Sequence, residues 1–361
     1  MSLKTALHAT HLSLSAKMGE FAGYDMPLYY GLGVKQEHEW VRENAGLFDV
    51  SHMGQILLTG KGTQSLLERL TPSPYDKLGV NRTKYTVLMN EDGGIIDDLM
   101  VTRTDDEEFH LVINAGCKEK DIAWIKENLT DGIEFKNYDD WALIAIQGPK
   151  AETVIKEALG VDLSDTPYMS LWYKDYTMFI SRVGYTGEDG FEISVQNDDA
   201  VDLWNKLQAH EAVEPIGLAA RDSLRLEMGY CLYGHDIDAN TTPLEAGLGW
   251  VMGKNNTGFI GADKVLPQKK NGVTKKRVGI KITGKGVARE GAEIRNTDDE
   301  VIGELTSGGF SPSLSASIGQ GYVPTQYADI GQAIFVNVRG RNIEAEVAKM
   351  PFLPPKTKSM K

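Results

Sequence analysis

The stretch NEDGGIIDDLMVTR, residues 90–103, sets two aspartates side by side between apolar residues. In a strand, successive side chains point to opposite faces, so Asp97 shares a face with Ile95 and Leu99 while Asp98 points the other way. Leaving an ionised carboxylate among apolar neighbours is costly unless a partner compensates for the lost water. At least one of these aspartates therefore needs a partner or a functional reason to be there.

The segments around this stretch alternate between strand and helix patterns, which predicts an α+β fold. Residues 38–47, HEWVRENAGL, predict a short helix that ends at Gly46, and strands such as KYTVLMN alternate with helices such as GTQSLLERL. A second unit with a similar order opens at WALIAIQGPKAETVIKEAL. Beyond residue 275, short β segments separated by glycine and serine predict a small β-barrel or jelly-roll domain.

The length and composition are those of a multi-domain globular protein. A chain of 361 residues predicts two or three domains, and its 41% hydrophobic and 25% charged content is typical of soluble proteins. No apolar run is long enough to span a bilayer, and the chain does not open with a signal-peptide pattern. We therefore expect a cytoplasmic protein without membrane partners.

The residues that most often bind metals are sparse. Cys117 and Cys231 lie far apart without nearby histidine pairs, which predicts neither a disulfide nor a zinc site. His8 and His11 are three residues apart, but no further ligand lies near them, so we expect them to be solvated rather than metal-bound. The sequence predicts no metal site.

The formal net charge of −13 argues against nucleic acid as a partner. The charge is uneven, because residues 254–361 hold 17 Lys+Arg against 10 Asp+Glu, a net of +7, and the remaining 21 against 41 give −20. A basic final third on an acidic body suggests a docking surface for an anionic partner. The alternative is that the lysine-rich PQKKNGVTKKR is only a solvated linker.

Glu192 has two interpretations. In GYTGEDGFEISV, Phe191 and Ile193 share one strand face, so Glu192 points the other way, beside Tyr185 if the two strands pair closely. Glu192 either belongs to a solvated strand face or accepts hydrogen bonds from adjacent N–H donors, such as those on the edge of a heterocycle.

Arg221 and Arg225 are four residues apart in GLAARDSLRLEMGY, on one side of a predicted helix. They fit an amphipathic surface helix, the commoner case, or guanidinium groups that reach into a pocket to pair with oxyanions and stack on rings. The chain has no phosphate-binding glycine loop, dinucleotide fingerprint, nucleophile-elbow serine or cysteine–histidine signal. By elimination, we expect chemistry that uses a bound organic cofactor and a carboxylate.

Nine segments, in order from near residue 21 to residue 352, resemble the glycine cleavage T-protein family of tetrahydrofolate-dependent aminomethyltransferases. They are FAGYDMPLYY, GLFDVSHMGQI, YTVLMNEDGGIIDDLMV, ALIAIQGPKA, GYTGEDGFEI, GLAARDSLRLEMGYCLYGHDID, TPLEAGLGWVM, ELTSGGFSPSL and KMPF. The resemblance implies a three-domain cloverleaf around a central folate channel. Residues 1–50 and 141–245 would form the first domain, 51–140 and 246–274 the second, and 275–361 the C-terminal barrel or jelly-roll.

The resemblance also assigns roles to residues. Asp98 matches the family's essential aspartate and would face the folate, which leaves Asp97 structural. Glu192 matches the glutamate that holds the amino-amide edge of the pterin, and Arg221 the folate-contacting arginine, which leaves Arg225 structural. Further matches to pocket positions are Met53, Tyr85, Asn114, Tyr168 and Tyr185.

The implied reaction joins the aminomethyl carbon of a lipoyl arm to N5 of tetrahydrofolate, releases ammonia and forms 5,10-methylenetetrahydrofolate. The implied partner is the lipoylated H protein, which would dock on the basic C-terminal domain. Family members often carry tyrosines after the terminal MPF, where this chain has LPPKTKSMK, so the tail does not match a folate contact there.

Two related functions are alternatives. A folate-dependent demethylase on the same scaffold would alter the substrate-facing residues, and the presence of both GGIIDDL and TGEDGFE favours the transferase. A non-catalytic folate-binding relative involved in iron–sulfur assembly would carry a Lys-Gly-Cys segment followed by Gly-Gln, which neither AGCKEK nor GYCLYG supplies.

Overall fold

The computed structural model describes residues 2–174 and 177–358. Within these ranges the chain forms eight α-helices and nineteen strands, numbered here in chain order. The helices are α1 His8–Ser13, α2 Gly33–Glu43, α3 Thr63–Leu70, α4 Lys118–Glu127, α5 Ala151–Leu159, α6 Asn197–Gln208, α7 Leu218–Glu227 and α8 Ala262–Asn271. None of the helices in this described part is long and apolar enough to cross a membrane.

The described strands form a two-stranded ribbon, an eleven-stranded sheet and a closed barrel. The ribbon pairs β1 Lys17–Phe21 with β2 Tyr24–Tyr29. The large sheet contains β3 Ala45–Asp49, β4 Gly54–Thr59, β5 Arg82–Met89, β6 Ile95–Asp105, β7 Glu108–Ile113, β8 Glu134–Asn137, β9 Trp141–Gln147, β10 Ser170–Lys174, β11 Met178–Arg182, β12 Gly190–Gln196 and β13 Val213–Pro215. The barrel contains β14 Lys275–Ile282, β15 Glu293–Arg295, β16 Val301–Ser311, β17 Ala316–Pro324, β18 Ala333–Val338 and β19 Arg341–Ala348.

The eleven-stranded sheet consists of two half-sheets that meet at a narrow joint. Strands β13-β3-β9-β12-β11-β10 form one half and β5-β6-β7-β4-β8 form the other. At the joint, β10 and β5 share one residue pair, Ser170 with Arg82. Seven residue pairs, by comparison, join β12 to β9 in the first half. The backbone sheet is therefore continuous, but its two halves are joined by few hydrogen bonds.

The first half-sheet packs one face against helices α5 and α6. Ile144 of β9 and Ile193 of β12 lie in one fully buried core with Val154 of α5 and Trp204 of α6. Burying such side chains stabilises the fold by about 1.5–3 kcal/mol each. The alternating pattern of β12 therefore places Phe191 and Ile193 in the core and turns Glu192 to the other face.

The second half-sheet packs against helices α3 and α4. Leu67 of α3 and Ile125 of α4 share a core with Leu99 of β6 and Phe109 of β7. Leu99 lies on the same strand face as Asp97, so the face that carries Asp97 is the core face. The domain boundaries given by the resemblance stay a prediction.

The C-terminal strands close into a six-stranded barrel in the order β14-β17-β16-β15-β18-β19. Ile280, Ile294, Leu305 and Val336 fill its interior. The predicted α+β fold with a C-terminal β domain from near residue 275 is confirmed. Of the two forms expected for that domain, the closed barrel is the one observed.

The helix predicted over residues 38–47 is placed wrongly. Helix α2 begins at Gly33 and ends at Glu43, and Gly46 lies within β3, where it pairs with Gln147. A Cβ atom on Gly46 would lie 2.5 Å from the side chain of Val41. This glycine therefore permits close packing of α2 on β3 and does not end a helix.

The expectation that His8 and His11 are solvated is also wrong. Their exposed fractions are 8% and 0%. His11 Nε2 lies 2.8 Å from the Asp49 carboxylate, and its Nδ1 lies 2.9 Å from the Tyr30 hydroxyl. The N-terminal helix docks onto the first half-sheet and buries both rings, which residue spacing alone does not reveal.

Candidate functional site

The eight residues that the resemblance assigns to the site come from different elements but share one property. All are half-buried, so part of each side chain remains accessible, whereas core side chains are fully buried. They are Met53 before β4, Tyr85 on β5, Asp98 on β6, Asn114 after β7, Tyr168 before β10, Tyr185 between β11 and β12, Glu192 on β12 and Arg221 on α7.

Asp98 is held by two hydrogen bonds on the face of β6 that turns away from the core. The Tyr85 hydroxyl donates to its Oδ2 atom at 2.8 Å, and the Asn114 side-chain amide donates to its Oδ1 atom at 2.9 Å. Burial raises the pKa of Asp98 and the neighbouring Asp97 raises it further, while the bonds from Tyr85 and Asn114 act in the opposite direction. The carboxylate is fixed in position and poorly solvated.

Asp97 lies on the core face and is 0% exposed. Its carboxylate accepts hydrogen bonds from the Asn114 backbone N–H at 3.0 Å and from the Asn114 side-chain amide at 2.9 Å. The same side-chain amide also donates to Asp98. One asparagine therefore ties together the carboxylates on the two faces of β6.

Glu192 and Arg221 are two further ionisable residues of the site, with opposite charges. Burial raises the pKa of Glu192, and the Arg221 charge opposes this rise. The Arg221 guanidinium lies 4.8 Å from the centre of the Tyr185 ring. Its Nη1 atom is buried and has no hydrogen-bond partner among the described residues. A buried guanidinium N–H without an acceptor is suited to binding an oxygen of a ligand.

Tyr185 does not lie in a strand beside Glu192. The residue that pairs with Glu192 across β11 and β12 is Ser181, and Tyr185 lies in the loop that joins these strands. The Tyr185 hydroxyl donates to the Cys231 carbonyl, and its ring centre lies 5.7 Å from that of Tyr230. The loop rather than strand pairing brings Tyr185 to Arg221.

Tyr168 and Met53 border the face that carries Glu192. Burial raises the pKa of Tyr168, with further contributions from Tyr230 and Glu192. Met53 packs against an apolar cluster that includes Ala145, the residue that pairs with Glu192 across β9 and β12. Neither residue carries a charge, so Met53 can contribute apolar contacts and Tyr168 a ring face and a hydroxyl group.

Arg225 is engaged entirely in structural contacts. It is 3% exposed, and its guanidinium donates to Asp236 and to Ser307 of β16, each at 2.8 Å. It also pairs with Asp222 at 2.8 Å. These contacts tie α7 to the barrel and agree with the structural interpretation of Arg225.

Sequence reasoning missed two aromatic side chains near the site. Trp250 stacks on Tyr85 with ring centres 5.6 Å apart, although 66% of its surface is exposed. His52 is 3% exposed, its Nδ1 has no partner among the described residues, and burial lowers its pKa to about 4. Both residues lie inside segments that resemble the T-protein family, so that resemblance could have identified them from the sequence.

A third buried group surrounds Asp97. One ligating atom each from Asp97, Cys117 and Asp121 lie within 4.8 Å of one another. Both oxygens of Asp97 already accept hydrogen bonds from Asn114, so this group offers fewer free ligand atoms than the four that a structural zinc site uses. We do not assign it as a metal centre.

The arrangement suits ligand binding and charge stabilisation more than nucleophilic catalysis. Burial raises the pKa of both cysteine thiols, Cys117 and Cys231, so neither forms a thiolate readily. Glu192 and Arg221 offer an acceptor and a donor without a described partner, and Asp98 offers a carboxyl group fixed in position. Together they can hold a polar ring and stabilise positive charge beside it.

Comparisons with known proteins agree over nearly the whole chain. The GCVT N-terminal domain matches residues 7–256, and the glycine cleavage T-protein C-terminal barrel domain matches residues 275–353. The chain is 43% identical over 356 residues to the aminomethyltransferase of Flavobacterium psychrophilum, covering 96% of this chain and 98% of the relative. It is also 43% identical over 377 residues to the mitochondrial aminomethyltransferase of Saccharomyces cerevisiae, covering 97% and 94%.

A solved structure gives the same result for the fold. Glycine cleavage system aminomethyltransferase T from Bartonella henselae matches with a TM-score of 0.96 and 38% identity, over 99% of this chain and 100% of that one. The chain therefore belongs to the glycine cleavage T-protein family, and it is an aminomethyltransferase of the glycine cleavage system.

Proposed function

We propose that this aminomethyltransferase takes its one-carbon unit from the aminomethylated lipoyl arm of the H protein and passes it to tetrahydrofolate. The products would be ammonia and 5,10-methylenetetrahydrofolate. The observation that carries the proposal is the Asp98 carboxylate, which Tyr85 and Asn114 fix in a poorly solvated position. A fixed negative charge is what a reaction with a developing positive charge requires.

Tetrahydrofolate fits the donors and acceptors of the site. The amino-amide edge of its pterin ring presents adjacent N–H donors, which suit the acceptor-only carboxylate of Glu192. The buried Nη1 of Arg221 has no acceptor in the part of the chain that the structure describes, and a folate oxygen would supply one. Tyr168, Tyr185 and Met53 would contact the ring system. When bound, tetrahydrofolate supplies N5 as the nucleophile that takes up the carbon.

Asp98 would act by electrostatics rather than by covalent chemistry. Positive charge develops on the transferred carbon as its bond to the departing group breaks, and a nearby carboxylate stabilises that charge. Because both oxygens of Asp98 are held by Tyr85 and Asn114, the carboxylate needs little reorganisation when the charge appears. The charge therefore stabilises the transition state more than the bound substrates.

The basic C-terminal region would dock the H protein. Lys269 and Lys270 end helix α8, Lys275 and Lys276 begin β14, and all four side chains are exposed. A cluster of exposed lysines attracts an acidic partner over a distance of about one Debye length, roughly 8–10 Å at moderate salt.

The test is an assay of purified protein with aminomethylated H protein and tetrahydrofolate, in which ammonia and methylenetetrahydrofolate are measured together. We expect both products in equal amounts. Asp98→Asn keeps the side-chain volume but removes the charge, so turnover should fall about a hundredfold or more while folate binding changes much less.

Asp97→Asn is the matched comparison at the adjacent position. It should act mainly on the free energy of unfolding, because Asp97 lies on the core face. If Asp97→Asn abolished turnover in folded protein while Asp98→Asn stayed near wild type, the roles of the two strand faces would be reversed. If methylamine or dimethylsulfoniopropionate replaced aminomethylated H protein as substrate, a demethylase would be indicated.

A further inference from the structure

Asp121 of helix α4 lies behind the site, on the core side of β6, and its charge is unaccounted for. It is 0% exposed, and neither of its carboxylate oxygens accepts a hydrogen bond from a described residue. An ionised carboxylate that is buried without a donor is strongly destabilised, so such a group takes up a proton. Asp121 also caps no backbone N–H of its own helix, which removes the common explanation for an acidic residue near a helix start.

The immediate neighbour of Asp121 is another acid. Ligating atoms of Asp97, Cys117 and Asp121 lie within 4.8 Å of one another. Both oxygens of Asp97 accept hydrogen bonds from Asn114, whereas Asp121 accepts none from the described residues, so the geometry favours Asp121 as the protonated member of the pair. The shared proton therefore belongs on Asp121. Burial raises the pKa of Asp121, and Asp97 raises it further, in agreement with this placement.

We propose that Asp121 is a positioning residue for aminomethyl transfer: as a neutral acid it donates a hydrogen bond to Asp97 and so steadies the carboxylate that holds Asn114 and, through it, Asp98. The inference rests on the proposed role of Asp98 in the reaction. It adds a third residue, on the core side of β6, to the pair of aspartates in the strand. Asp121 contacts no substrate and acts only through Asp97.

The other titratable groups around Asp121 agree with a protonated Asp121. The titratable groups that face it or its partner are Asp97, Asp98, Cys117, Lys120 and Tyr233. Lys120 is the one cation among them, and it is engaged elsewhere, since its Nζ donates to the Ile96 carbonyl and lies 3.7 Å from the centre of the Tyr233 ring. Cys117 stays a neutral thiol because burial raises its pKa.

A neutral Asp121 also matters for the charge on Asp98. The negative charge of Asp97 already raises the pKa of Asp98. A second buried negative charge at Asp121 would raise it further and would keep Asp98 protonated over a wider pH range. The proton on Asp121 therefore lets Asp98 ionise at a lower pH than three adjacent carboxylates would allow.

The test compares two substitutions of Asp121 in the full chain. Asp121→Asn is neutral and keeps an N–H donor, so it should retain turnover within about twofold and leave the acid limb of the pH profile in place. Asp121→Leu keeps a similar volume but removes the donor, so turnover should fall at least about tenfold with a smaller change in KM for tetrahydrofolate. Glu119→Gln, exposed on the same helix, is the control and should change neither quantity.

Infrared difference spectroscopy tests the protonation state without reference to turnover. At about pH 9, above the pKa of about 7 that burial gives Asp98, wild-type protein should still show the carbonyl stretch of a buried protonated carboxylic acid, and Asp121→Asn should lack it. This readout is separate from the assay of Asp98→Asn, so failure of the proposed function and failure of this inference can be told apart.

Four outcomes would overturn the inference. The first is an infrared band that is unchanged in Asp121→Asn, and the second is full turnover in Asp121→Leu. The third is an acid limb of the pH profile that moves to lower pH in Asp121→Asn, which would show that an ionised group was removed. The fourth is wild-type activity that a chelator abolishes and an added divalent cation restores.

Discussion

At the scale of single residues, two adjacent aspartates have different environments because a strand turns them to opposite faces. The alternation of side chains along β6 was sufficient to predict that Asp97 and Leu99 lie on one face of the strand and Asp98 on the other. It could not identify Asn114 as the link between them, because Asn114 lies sixteen residues away from Asp98 and reaches it only through the pairing of β6 with β7. The part played by Asp121 was hidden for the same reason.

Glu192 provides a prediction at this scale. Glu192→Ala should weaken tetrahydrofolate binding by about 1–3 kcal/mol, because the buried N–H donors of the ligand would lose their acceptor. Isothermal titration calorimetry measures the change. Glu134→Ala, an exposed glutamate on the edge strand β8, should bind folate as wild type does. Equal affinity in the two variants would return Glu192 to a solvated strand face.

At the scale of elements, helix α7 places Arg221 at the proposed folate site and Arg225 against the barrel. Their spacing of four residues predicts that they lie on one side of the helix, and it does not distinguish their roles. The distinction comes from the barrel, because Ser307 of β16 accepts a hydrogen bond from Arg225 while Nη1 of Arg221 remains without a partner among the described residues. Tertiary contacts of this kind cannot be predicted from the helix pattern.

Arg225 is therefore expected to control stability. Arg225→Met should lower the free energy of unfolding by about 3–5 kcal/mol, because it leaves the buried Asp236 carboxylate without its charged partner. Asp222→Asn, which removes the exposed partner of the same arginine, should cost less than about 1 kcal/mol. Urea unfolding followed by circular dichroism gives both values, and equal effects would show that the inner ion pair is not the stabilising one.

At the scale of the whole molecule, Glu227 joins parts that are distant in the chain. Its carboxylate is 0% exposed, pairs with Arg42 of α2 at 2.7 Å and accepts a hydrogen bond from the Ser313 hydroxyl at 2.9 Å. Its backbone carbonyl accepts from the Phe352 N–H of the C-terminal tail at 2.9 Å. The family resemblance predicted the barrel, but the residue that fastens it to the N-terminal part became visible only in the structure.

Glu227 predicts a pH dependence of stability. Burial would raise its pKa, but the His38 ring, the Ser311 hydroxyl and the Arg42 charge outweigh burial and lower it to about 2. The unfolded chain therefore binds a proton at higher pH than the folded chain does, so stability falls as the pH drops from about 4.5 towards about 2. Above this range the contribution is complete.

Glu227→Gln should cost about 3–5 kcal/mol at pH 7, because it removes the buried carboxylate that pairs with Nη2 of Arg42. Unfolding experiments between pH 7 and pH 3 should show the difference from wild type shrinking as the pH falls. Glu39→Gln on α2, a residue whose side chain is 46% exposed, is the control and should have little effect at any pH. A constant difference across this range would contradict the low pKa of Glu227.

The exposed lysines at the end of α8 and the start of β14 predict that binding of the H protein depends on salt. Charge reversal at Lys269, Lys270, Lys275 and Lys276 should raise the apparent KM for H protein at low salt, and the effect should shrink as salt rises because exposed charges are screened. Charge reversal at Lys61, exposed in the turn after β4, and at Lys136, exposed on β8, is the control. A KM effect that does not depend on salt would argue against docking at the cluster.

The narrow joint between β10 and β5 has a mechanical consequence. A sheet bends most easily where the fewest paired residues resist, and one pair joins these strands while eight join β5 to β6. Glu192 belongs to one half-sheet and Asp98 to the other. A rotation at the joint would change the distance between Glu192 and Asp98, so the proposed roles of these two residues depend on side-chain contacts that hold the halves together, such as the hydrogen bond from Ser194 of β12 to Gln55 of β4.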